Sequence, residues 1–97
     1  MARPAKLVAP KLETFVAAEY PKALLARGLR GTVVLTLTLD ATGKVTATEV
    51  AESAGPEFDA AASAAAMKLV FSPARAGGKA VPVRIRFRYR FTPEQRL

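Results

Sequence analysis

The sequence predicts an α+β domain in two layers, a three-stranded antiparallel sheet of order 2-1-3 with two helices on one face. Three observations predict it. Thr32–Asp40 and Val81–Phe91 alternate apolar with polar residues at period two. Glu57–Val70 carries apolar residues at helical spacing. Tyr20-Pro21 opens a further short helix before the first of these strands. The resulting order is helix, strand, strand, helix, strand. A right-handed, helix-bearing return from the second strand to the third passes over the first and leaves the first in the middle.

Each element has its own local reason. Residues 1–19 contain Pro4 and Pro10 and little periodicity, which predicts a partly extended arm with a short turn of helix at Leu12–Ala18. Proline is tolerated in the first helical turn, so Pro21 starts the first helix, and Gly28 stops it. In Thr32–Asp40 the residues Val33, Leu35, Leu37 and Leu39 share one face, while Thr32, Thr36 and Thr38 share the other with Val34. Asp40-Ala41-Thr42-Gly43 is a hairpin turn. Lys44–Glu52 returns, and its alternation falters near Glu49-Val50, the mark of a β-bulge. Ser53-Ala54-Gly55-Pro56 is a loop. The second helix follows over Glu57–Val70, with Glu57 and Asp59 in its first turn. Pro73 stops it, and Arg75–Lys79 is a glycine-containing loop. Val81–Phe91 is a long strand, with Val83, Ile85, Phe87, Tyr89 and Phe91 on one face and four arginines on the other. Pro82 near its start marks it as an edge strand, because proline cannot donate to a ladder.

Composition narrows the chemistry. Ninety-seven residues make one domain. The expected division is an arm over 1–19, the domain over 20–92 and a tail over 93–97. The chain has no Cys and no His, hence no thiol nucleophile, no imidazole base and no disulfide framework. Nothing in it calls for a metal or cofactor, and no constellation of residues reads as an enzyme's catalytic site. No stretch is long and apolar enough for a transmembrane helix, and the first residues lack the apolar core of a signal peptide. The charge is unevenly placed. Residues 1–59 hold seven basic and seven acidic residues, whereas residues 60–97 hold eight basic residues and the single acid Glu94, so the whole +7 lies in the last 38 residues. Arg84, Arg86, Arg88 and Arg90 supply half of those cations at strict period two.

The last strand is the candidate site. Eleven residues at about 3.3 Å each make roughly 36 Å of exposed edge. Its arginines are open to two readings, a solvated guard against edge-to-edge pairing or a surface beside which an extended peptide adds as a further strand. Nucleic acid is disfavoured as a partner, because the aromatics that would stack bases share the face that must cover the helices. Gly77-Gly78-Lys79 precedes a strand and lacks the spacing of a phosphate loop.

An ordered set of short motifs adds to this reading. Tyr20-Pro21 stands before a short helix, Gly28 and Gly31 lead into a strand, and Asp40-x-x-Gly43-x-Val45 forms the hairpin. Ser53-x-Gly55, Phe58-Asp59, Phe71-x-Pro73-Ala74 and the Val81–Phe91 strand follow. Over about residues 20–91 the chain resembles the TonB C-terminal domain family. The resemblance implies the periplasmic domain of an energy transducer, whose membrane anchor and motor-contacting parts are not in this chain. It implies a partner, the TonB box of an outer-membrane receptor, gripped as an extra strand on the third strand. It also implies force passed from an inner-membrane proton-channel motor. Carried onto this sequence, the partner-binding residues are Arg84, Ile85, Arg86, Phe87, Arg88, Tyr89, Arg90 and Phe91, with Tyr20-Pro21 beside the receptor contact. Two alternatives stand next to it: a TolA-type envelope domain, which shares the layout, and a structural module that dimerises through the same edge.

Overall fold

In the computed structural model, which describes residues 6–93, the strand built from Gly31–Leu39 forms the middle of the main sheet. The first five residues of the arm, and the expected tail beyond residue 93, lie outside the described residues. In chain order the elements are β1 (Leu7–Val8), β2 (Leu12–Thr14), α1 (Lys22–Ala26), β3 (Gly31–Leu39), β4 (Val45–Glu52), α2 (Pro56–Ala66), β5 (Val70–Phe71), β6 (Ala74–Ala76), β7 (Lys79–Val81) and β8 (Val83–Phe91). The main sheet has the order β4-β3-β8 with antiparallel neighbours, the expected 2-1-3 arrangement. Two small sheets join it, β1-β6-β7 and β2-β5.

The β3 alternation sets the layers. Val33, Leu35, Leu37 and Leu39 are fully buried on the helix side. Each such side chain contributes about 1.5–3 kcal/mol relative to exposure. α2 covers them with Phe58, Ala62, Ala65 and Ala66, and α1 adds Leu24. Alanine on the inner face of α2 lets its backbone lie close on the sheet. At one end of the layer Tyr20, Phe58 and Phe91 form a three-ring cluster. Tyr20 meets Phe58 edge-on at 5.7 Å and Phe91 edge-on at 5.6 Å, and Phe58 lies tilted on Phe91 at 4.6 Å. Such pairs add about 0.5–1.5 kcal/mol each beyond area burial. Among the described residues no helix is long and apolar enough to cross a membrane.

The hairpin between β3 and β4 is built as its residues predict. The Asp40 carboxylate accepts hydrogen bonds from the Thr42 N–H, the Thr42 hydroxyl and the Lys44 N–H. Gly43 has φ +90°, and its carbonyl accepts the Phe71 N–H at 3.1 Å, so the hairpin tip is docked on β5. Gly28, at φ +67°, follows α1, and the Leu29 N–H closes back on the Leu24 carbonyl at 3.0 Å. Before α2, the Asp59 carboxylate reaches back to the Ala54 N–H at 2.9 Å and also accepts the Ser53 hydroxyl. These bonds tie the loop before α2 to its first turn.

Five expectations change. The arm does not turn helical at Leu12–Ala18. Leu12–Thr14 is a strand on β5, anchored by Lys11 and Ser72, whose N–H groups donate to the Ser72 hydroxyl at 2.9 Å and the Lys11 carbonyl at 2.8 Å respectively. Leu12, Phe15 and Val16 have helical spacing, but Leu12 and Phe15 are exposed, so there was no apolar face to drive a helix. α2 ends at Ala66 rather than Val70, because Val70–Phe71 pairs with β2 and, at Lys44, with the β3–β4 hairpin. The Arg75–Lys79 loop is a hairpin, β6 and β7 joined through Gly77-Gly78. The long strand begins at Val83 rather than Val81, since Pro82 interrupts it and hands Lys79–Val81 to β6. β4 carries two irregularities rather than one. The extra residue at Ala51 lies next to the expected position, and a second falls at Thr46.

Candidate functional site

The two free margins of the main sheet differ. β4 is broken by bulges at Ala51 and Thr46, which twist its outer side and disturb its row of backbone groups. β8 runs nine residues against β3 in unbroken register, from Val83 opposite Leu39 to Phe91 opposite Gly31. Among the described residues no strand pairs with the outer side of β8. Every second residue there turns its N–H and C=O outward, as an antiparallel edge requires. The available edge is about 30 Å long.

The faces of β8 are those the sequence predicts. Arg84, Arg86, Arg88 and Arg90 are exposed on the open face; Val83, Ile85 and Phe87 are half-buried, and Tyr89 and Phe91 are buried on the helix side. Pairing places Arg84 opposite Thr38, Arg86 opposite Thr36, Arg88 opposite Val34 and Arg90 opposite Thr32. The next strand out, β4, brings Glu49 opposite Thr36 and Glu52 opposite Val34. The open face is thus basic along β8, uncharged along β3 and acidic along β4. Among the described residues no carboxylate forms an ion pair with any of the four arginines. Val34 is the one β3 residue buried on this face, and it floors a shallow depression of about 290 Å³ with Glu52, Arg86 and Arg88.

Tyr20 lies in the core at 4% exposure, with its hydroxyl donating to the Leu29 carbonyl. Its contact with β8 is the edge-on packing of its ring against Phe91. Pro21 caps α1, and its carbonyl accepts the N–H groups of Leu24 and Leu25. Beside it a groove of about 430 Å³ opens between residues 16–22 and α2, lined by Val16, Glu19, Ala61, Ala64 and Lys68 among others. The arm adds a contact that the sequence did not signal. The Tyr89 hydroxyl donates to the Val16 carbonyl at 2.7 Å, and the exposed Phe15 ring sits 6.0 Å from the Tyr89 ring. Burial pushes the Tyr89 phenol up to about 12. Residues 73 positions apart carry no joint pattern, so only the fold reveals that link.

The candidate site is therefore a backbone edge flanked by charge on a small two-layer α+β domain. Residues 16–93 match the family described as the Gram-negative bacterial TonB protein C-terminal, and the chain belongs to that family. Membership associates it with the transport machinery of the Gram-negative envelope and with a non-enzymatic class. None of the curated proteins compared with it matches.

Proposed function

We propose that this chain is the periplasmic protein-interaction domain of a TonB-type energy transducer, that it binds the TonB box of an outer-membrane receptor by strand addition to β8, and that it passes force to the receptor. One observation carries the reading: the outer side of β8 is regular over nine residues and unoccupied by any described strand, while the other margin of the sheet is bulged twice. Some five interstrand hydrogen bonds at about 0.5–1.5 kcal/mol each, less the cost of association, give a modest, reversible grip. Pulled along the strand, those bonds are loaded in shear and fail together, so a weak complex still holds against force.

Titrating a TonB-box peptide into labelled protein tests this. Amide shifts running along residues 83–91 are expected; shifts confined to α1 and α2 would overturn the assignment. A second copy of the chain is the competing occupant of the same edge. If two copies of β8 paired with their cores aligned, arginine would stand opposite arginine along the open face, which is unfavourable. Light scattering across a concentration series should accordingly find a monomer.

A further inference from the structure

We infer that the arginine row of β8 selects the incoming strand by charge. The preferred partner is an extended segment with carboxylates at alternate positions and apolar residues between them. This rests on strand addition at β8. The geometry is direct. An added strand must keep its side chains in step with β8, so residues opposite Arg84, Arg86, Arg88 and Arg90 project on the open face, and those between lie beside the half-buried Val83, Ile85 and Phe87. Same-face residues recur at about 6.6 Å on both strands, so one alternating acidic segment meets all four cations in a single register. A segment slipped by one residue would set its carboxylates against the apolar face, which makes the charge pattern a register lock as well.

Three features of the molecule support this. The net positive charge of the chain arises in its last 38 residues, and these four arginines are the part of it presented beside a free edge. No carboxylate of the described residues neutralises them, and the neighbouring β3 positions are Thr32, Val34, Thr36 and Thr38, without charge. The molecule's own acidic residues on that face, Glu49 and Glu52, stand two strands away on β4, with Glu52 across the shallow depression from Arg86 and Arg88 and in no ion pair with them. The same row rejects a second copy of β8. Attraction for acid and repulsion of self are two results of one pattern.

The test uses three nine-residue peptides with valine at alternate positions and Glu, Thr or Lys between, each titrated against the full chain with amide shifts and affinity as readouts. Exposed cross-strand ion pairs are each worth about twofold in affinity, so four should favour the Glu peptide over the Thr peptide by about 16-fold at low salt. That margin should collapse between about 50 mM and about 500 mM salt. In the double variant Arg86→Glu, Arg88→Glu either charged peptide meets two attractive and two repulsive partners, so the preference for the Glu peptide should disappear, with circular dichroism checking that the variant is folded. If Glu and Thr peptides shift residues 83–91 with equal affinity, charge selection is wrong while strand addition stands. If no peptide shifts these amides, both fail. If oligothymidylate binds tighter than the Glu peptide, the face reads phosphate and the inference is overturned.

Discussion

Gly31 and Gly43 hold places that no other residue fits. A Cβ on Gly31 would stand 2.7 Å from the Phe58 ring and 2.8 Å from the Ala54 methyl, inside the aromatic cluster that closes one end of the core. A Cβ on Gly43 would come within 2.0 Å of the Phe71 carbonyl oxygen, on a backbone already at positive φ. Backbone cannot rotate aside as a side chain can. Gly43→Ala should therefore cost about 3 kcal/mol and Gly31→Ala about 1–2 kcal/mol, read from chemical denaturation midpoints. Tyr89 supplies a pH signature. Its folded pKa is raised above the unfolded value near 10 because burial disfavours the phenolate. The associated stability is fully present below pH 10 and is lost as pH rises through about 12. Tyr89→Phe should be less stable at neutral pH, having lost the bond to Val16, and its unfolding midpoint should fall less steeply over that alkaline window.

At the scale of elements, what the residues announce depends on length. β3, β8 and the hairpin at Asp40–Gly43 could be read directly, because nine-residue alternation and a carboxylate-capped turn are local signals. The edge position of β8 was readable too, from the crossover rule, although Pro82 proved to lie outside the strand. β1, β2, β5, β6 and β7 have two or three residues each and show no period. Their pairing is decided by long-range partners, as when Leu12 meets Phe71. The candidate site divides in the same way. The arginine row was plain, whereas the contrast between a regular β8 and a doubly bulged β4 needed the register. Helix α2 gives a test of its packing. Ala62 is fully buried against the sheet, and Ala62→Leu should destabilise by about 1–3 kcal/mol through overpacking, measured by thermal unfolding.

For the whole molecule, stability is graded. β3 is paired on both sides over most of its length, and its inward side chains are fully buried. The arm is held by two short pairings and leaves Leu7 and Phe15 largely exposed. Hydrogen exchange should follow this order, slowest in β3 and fastest in β1 and β2, with β8 between because half its amides face outward. Equal protection of the arm and β3 would contradict it. The arm is also tied to the candidate edge through Val16 and Tyr89, so exchange at Val16–Ala18 should slow when a peptide occupies β8.

The kinks in β4 have a consequence for how far such a structure can grow. An open-ended fibre needs two complementary flanks on every subunit, one to receive and one to be received. This domain offers a straight flank on one side and a buckled one on the other. Copies of this domain therefore lack the matching pair of flanks from which a polymer would be built.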